Sequence, residues 1–149
     1  MGILILILLA QFSFAQNFST TSNVQTGVKL EASSLPKYQI FYFWATWCPD
    51  CKEKITSDLS QFKNKNLDLI AVSTEKDLSK VKSYVEKNNL KISVFYDENR
   101  ELQKFFKIFS VPSAVLTEKK GSVFEVLAQV SGTDWSQIKA KLEEVGALK

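Results

Sequence analysis

Two cysteines occur in the 149-residue chain, three positions apart, in the segment Trp47-Cys48-Pro49-Asp50-Cys51. Side chains at i and i+3 of a helix are neighbours, so the two sulfurs lie within reach of a disulfide. Pro49 stands where a helix can begin. The first sulfur is then at a helix N-terminus, where unpaired N–H groups and the positive end of the dipole favour a thiolate. The thiolate is the attacking form of cysteine. Cys48 is therefore the candidate nucleophile, and Cys51, one turn further in, the candidate resolving thiol. Three plainer readings stay open: half of a zinc site, a purely structural disulfide, or two buried free thiols. A structural zinc ion takes four ligands as a rule, and here it would need a second chain or carboxylates. A structural disulfide across so short a loop would constrain the unfolded chain little.

The chain has no histidine. That removes Ser-His-Asp and Cys-His catalysis and His-ligated metal sites. Lys52 follows Cys51, so haem attachment through Cys-x-x-Cys-His is excluded as well. No metal and no organic cofactor is expected. The net charge is +3, with Lys and Glu interspersed and no concentrated basic tract, so nucleic acid is not an expected partner. Lys119-Lys120 and Lys52/Lys54 read as solvated surface. Arg100 is the single arginine and lies in a different segment from the cysteines, which argues against a thiol peroxidase with a cation-activated cysteine.

The elements that must position the cysteines follow from local pattern. Tyr38–Ala45 (YQIFYFWA) is a continuous aromatic and β-branched run, suited to a strand buried on both faces. Ile55, Leu59 and Phe62 then recur at helical spacing. Leu67–Ser73 reads as a second strand; Leu78, Val81 and Val85 mark a second helix, with Asn88-Asn89 as its stop. Ile92–Tyr96 is a third strand. Asp97–Lys107 forms a short helix capped by Asp97, with Leu102, Phe105 and Phe106 inward. Ser113–Thr117 is a fourth strand, Lys119-Lys120-Gly121 a hairpin turn, and Val123–Val130 a fifth strand. Asp134 and Gln137 form a capping box for a last helix lined by Ile138, Leu142 and Val145. This β-α-β-α-β-α-β-β-α order indicates an α/β domain, a central mixed sheet flanked by helices.

The N-terminus has a different character. Ile3–Ala10 is apolar, and Ser13 and Ala15 are small residues preceding Gln16, the pattern of a secretory signal peptide over residues 1–15. The run is shorter than the roughly 20 residues of a membrane span. No Lys or Arg precedes it, which leaves an uncleaved membrane anchor as the alternative. No cysteine follows it that could carry a lipid. Residues 16–34 are rich in Ser, Thr, Asn and Gln. They read as a flexible leader with room for a short strand at Val28–Glu31, and the folded domain spans 35–149, starting near Leu35-Pro36.

The segment Phe43–Lys52 (FWATWCPDCK) resembles the active-site signature of the thioredoxin superfamily, and Val111-Pro112-Ser113 resembles the loop that carries its cis-proline. The exported leader and the inserted β-α unit, Leu67–Asn89, are most similar to the TlpA/ResA-type branch. That branch contains extracytoplasmic, often reducing proteins, some serving cytochrome c maturation. The resemblance implies a thioredoxin-like fold and a cis Pro112 that brings the Val111 backbone beside the disulfide to pair with an extended substrate. It also implies that Trp47 flanks the site. Two positions depart from the pattern. Tyr42 stands where thioredoxins bury an Asp, and Lys54 where many relatives carry a Glu. The proton acceptor for Cys51 is therefore unassigned, with Glu53 the nearest carboxylate. Pro49 and Asp50 form an uncommon dipeptide between the cysteines, and the Asp50 charge disfavours the Cys48 thiolate, opposing the helix terminus. The expected function is a thiol–disulfide oxidoreductase acting on protein disulfides, working as a reductant in a periplasmic or other extracytoplasmic space. It would be a monomer fed by a membrane or soluble electron donor. The competing function is a thioredoxin-fold binding or chaperone module with a structural disulfide.

Overall fold

The computed structural model describes residues 17–148. The signal-peptide reading falls on residues 1–15, outside the described residues. Seven strands form one mixed sheet: β1 (Asn17–Asn23), β2 (Lys29–Glu31), β3 (Tyr38–Trp44), β4 (Leu67–Ser73), β5 (Ser93–Asp97), β6 (Ser113–Lys120) and β7 (Val123–Ser131). Their order across the sheet is β2-β1-β5-β4-β3-β6-β7. β3 lies parallel to β4, β4 parallel to β5, and β6 and β7 run antiparallel on the far side of β3. Four helices complete the chain: α1 (Pro49–Thr56), α2 (Leu78–Lys87), α3 (Glu101–Phe105) and α4 (Ser136–Glu144).

The aromatic run of β3 is buried at every position. Alternate side chains of a strand point to opposite faces, and each face of β3 has its own cover. Tyr38, Ile40, Tyr42 and Trp44 pack in one core with Ile55 of α1, Val81 and Val85 of α2, and Ile138 and Leu142 of α4. Phe41 and Phe43 enter a second core with Leu102, Phe106, Val115, Phe124 and Phe18. A strand sandwiched in this way has no polar face to show, which is why the sequence reads as continuous apolar residues rather than an alternation.

Several boundaries differ from the sequence reading. The described part of the expected leader, residues 17–34, is not flexible but forms strands. β1 pairs antiparallel with β5 through Thr21–Asn23, and β2 pairs with β1, so folding begins well before Leu35. Phe18 is 4% exposed, and Thr21 is fully buried with its hydroxyl donating to Asp97 at 3.0 Å. α1 ends at Thr56, yet Ile55, Leu59 and Phe62 are all buried, the last two carried by a short 3-10 turn rather than by the helix. The helix expected over Asp97–Lys107 is shorter: Asp97 ends β5 and its carboxylate reaches ahead to accept from the Leu102 and Gln103 N–H groups at 3.2 and 3.1 Å. Phe105 remains 37% exposed. Lys119 and Lys120 belong to β6, and only Gly121, at φ +63°, takes the left-handed turn conformation. Asn89 does end α2's last turn with φ +48°. Asp134 accepts from the Ser136 N–H at 2.9 Å, but Gln137 returns no bond among the described residues, so the cap is one-sided.

Candidate active site

The cysteines sit at the C-terminal end of β3, where the parallel strands of an open α/β sheet leave a crevice. β3 stops at Trp44, and the next three residues turn the chain before Cys48 caps α1, with Pro49 in its first turn. Thr46 is pinned in this turn by Glu75, whose carboxylate accepts from its N–H at 2.9 Å and also from its hydroxyl. Cys48 and Cys51 form a disulfide with their Cα atoms 5.2 Å apart. The Cys51 N–H donates to Cys48 Sγ at 3.2 Å, so the helix terminus presents a donor to the sulfur that would carry negative charge on reduction. Cys48 is 5% exposed and Cys51 is fully buried. Both cysteines are therefore buried, Cys48 the less completely.

Beneath Cys51 the site is filled by aromatic side chains. The Tyr42 hydroxyl donates to the Cys51 carbonyl at 3.3 Å. Its ring meets Trp135 edge-on with centroids 5.3 Å apart, and Trp135 in turn meets Phe62 at 5.2 Å. Burial, and after it the Asp50 charge, holds the Tyr42 phenol far above its ordinary value, so it remains a neutral O–H donor at any physiological pH and is no proton acceptor for Cys51. Lys54 turns away from the cysteines. Its ammonium lies 4.3 Å from the Trp135 ring centroid and donates to the Thr133 carbonyl at 3.3 Å. Burial lowers its pKa, as does the Lys139 charge, against the Asp134 charge that raises it. Glu53 is exposed. Neither of the two positions that departed from the family pattern thus supplies a base, and among the described residues no carboxylate bonds to Cys51.

The outer side is open. Trp47 is 67% exposed and Phe109 is 95% exposed. A groove of about 350 Å³ runs between them, lined also by Arg100, Gln103, Ser110 and Val111. The Val111–Pro112 peptide is cis. Neither backbone group of Val111 has a hydrogen-bond partner among the described residues, whereas the Pro112 carbonyl accepts from Gly132 N–H at 2.8 Å. The structure therefore brings Trp47 and Val111 to one groove. It adds Arg100 and Phe109, which sequence reasoning did not place there. No helix period or motif marks them, since both lie in turns whose position depends on how β5 and β6 pair.

A family model described as the AhpC/TSA family matches residues 13–126. This chain belongs to that family. The thiol-disulfide oxidoreductase ResA of Bacillus thuringiensis subsp. konkukian is 29% identical over 134 residues, covering 87% of this chain and 73% of that protein. Among solved structures, StoA of Bacillus subtilis superposes with a TM-score of 0.65 at 22% identity, covering 82% of this chain and 93% of that one. An exposed lipoprotein thioredoxin of Streptococcus pneumoniae gives 0.69 at 20% identity, covering 83% and 96%. These neighbours establish the thioredoxin-like fold. With a disulfide of two neighbouring cysteines at the helix terminus of that fold, and relatives named for this activity, the family member is a thiol–disulfide oxidoreductase. No helix among the described residues is long and apolar enough to cross a membrane.

Proposed function

We propose that this AhpC/TSA-family chain is an exported reductant of protein disulfides, with Cys48 as nucleophile and Cys51 as resolving thiol. The observation that carries the roles is the unequal placement of the two sulfurs: Cys48 caps α1 and receives the Cys51 N–H, while Cys51 is sealed against Tyr42. In the reduced protein the Cys48 thiolate attacks one sulfur of a substrate disulfide. A mixed disulfide forms and one substrate thiolate leaves. Cys51 then attacks Cys48 Sγ, which closes the Cys48–Cys51 disulfide and releases the second substrate sulfur, which leaves as a thiol with the proton that Cys51 gives up. Two electrons have passed to the substrate, and a dithiol donor must return them. Trp47 and the free backbone of Val111 border the path of the substrate strand, with Pro112 fixing the loop. Asp50, in the first turn of α1, works against the Cys48 thiolate, and a dithiol whose thiolate is less stabilised gives up electrons more readily. Export is supported by the apolar run Ile3–Ala10 with its small residues at Ser13 and Ala15.

The test is the reduction potential of the Cys48–Cys51 pair in defined dithiol buffers. A value near or below about −270 mV, the level of thioredoxin, fits a reductant; one towards about −120 mV, the level of DsbA, makes the chain a disulfide donor. A pair that does not cycle at all leaves a binding module with a structural disulfide.

A further inference from the structure

The groove beside Trp47 joins the apolar side chains of Trp47, Ile108, Phe109 and Val111 with the polar Thr74, Gln103 and Ser110, and Arg100 brings a positive charge to it. Among the described residues Arg100 has no ion-pair or hydrogen-bond partner for its guanidinium. Of the acids near it in the chain, Glu98 is exposed and makes no ion pair with it among the described residues, and Asp97 and Glu101 are engaged elsewhere. Asp97 spends both oxygens on the Thr21 hydroxyl, the Leu102 and Gln103 N–H groups and the Gln103 amide. Glu101 accepts from the Thr20 N–H at 3.1 Å. The backbone of Arg100 is itself fixed. It adopts φ +57°, its N–H donates to the Asp97 carbonyl at 3.0 Å, and its carbonyl accepts from the Lys104 N–H at 3.0 Å. Asp50, Glu53 and Lys54 line a separate depression, where Lys54 is committed to Trp135 and Thr133.

We propose that Arg100 makes the groove a subsite for an acidic residue of the substrate. The occupant is an extended protein segment whose cysteine reaches Cys48 and whose neighbouring Asp or Glu carboxylate lies against the Arg100 guanidinium. A guanidinium presents a planar fork of donors that matches a carboxylate, and the exposed rings of Trp47 and Phe109 suit apolar side chains flanking it in such a segment. This specificity rests on the redox reading of Cys48 given above.

The test uses the full chain, reduced, and two peptides that carry one cysteine as a 2-thiopyridyl disulfide and differ only in Glu or Gln beside it. Release of thiopyridone reports attack by Cys48. The wild-type chain should react with the Glu peptide roughly three- to fivefold faster, the range of a solvent-accessible ion pair, and the preference should shrink as salt is raised. Arg100→Gln should abolish the preference and leave the Gln peptide unchanged. Arg100→Asn, a residue that tolerates the left-handed backbone, should do the same, which separates charge from folding. Arg100→Glu should invert the preference. Equal rates for the two peptides with the wild-type chain, or an equal loss on both in the variants, would overturn the subsite. Glutathione disulfide losing as much rate as the Glu peptide in Arg100→Gln would overturn the assignment to a protein segment. A wild-type chain that attacks neither peptide refutes the oxidoreductase reading itself, whatever Arg100 does.

Discussion

Below Cys51 the side chains are locked; beyond Cys48 they stand in solvent. Tyr42, Phe62 and Trp135 form an interlocking aromatic set with less than 3% exposure each, and Lys54 closes it from the side. Trp47 and Phe109, also aromatic, are largely exposed and meet no other ring among the described residues. The same residue class thus does two jobs within one helix turn of the disulfide. The inner set packs around Cys51, and the outer set leaves apolar surface in solvent. An exposed aromatic has little packing to lose, so its removal should cost binding and not folding, while the reverse holds inside.

The sharpest test of that division is Cys48→Ser, expected to bring disulfide reduction to the uncatalysed rate with the far-ultraviolet circular dichroism unchanged. Cys51→Ser should instead accumulate a mixed disulfide with substrate, visible by mass spectrometry. Inside, Trp135→Ala should destabilise the chain by about 3–5 kcal/mol, the cost of emptying a large aromatic site, measured by urea unfolding. Outside, Trp47→Ala should change stability by no more than about 0.5 kcal/mol while raising the KM for a peptide disulfide; an equal loss of stability in both variants would erase the contrast. Tyr42→Phe removes only the O–H to the Cys51 carbonyl and should cost about 1 kcal/mol, with the disulfide still formed.

The smallest effect concerns pH and lies away from the site. The Asp77 carboxyl at the start of α2 is held below the usual carboxylate range, first by the Ser79 side chain and then by its backbone N–H. A folded-state value below the unfolded one contributes stability that is present above the unfolded value and is lost as the pH falls through the folded one. Asp77→Asn keeps the cap but does not titrate there, so its unfolding midpoint should fall less steeply than the wild type as the pH drops below about 4, the ordinary carboxylate value.

What could be read from the sequence tracks how local the cause is. The Cys48–Cys51 pair, the buried strand before it and the stop at Asn88-Asn89 rest on neighbours within a few residues, and the structure has them where expected. Val111-Pro112 was legible through resemblance to a known loop. β1 was not legible, because its segment (NFSTTSN) has one large apolar side chain and earns its place through pairing with β5, some 75 residues later. Arg100 stands far from the cysteines in the sequence, and its place is illegible there for the same reason. Its position beside Trp47 comes from the fold of the sheet, which no spacing in the chain announces. The Tyr42 contact with the Cys51 carbonyl lies between: the position was noticed as a departure, but only the packed structure shows the phenol turned onto the helix.

The hairpin at the start of the described chain has one further consequence. Without β1, strand β5 would end the sheet with a row of unsatisfied N–H and C=O groups, a template for pairing with a second molecule. β1 occupies that row through Thr21, Ser22 and Asn23. Its own outer side is met by β2, only three residues long, with exposed Lys29 and Glu31 flanking a buried Leu30. A strand that short and that charged offers a poor foothold for sheet extension. The polar segment that reads as a tether is thus a guard against self-association, and a chain trimmed to begin at Leu35 should keep its cysteines yet aggregate.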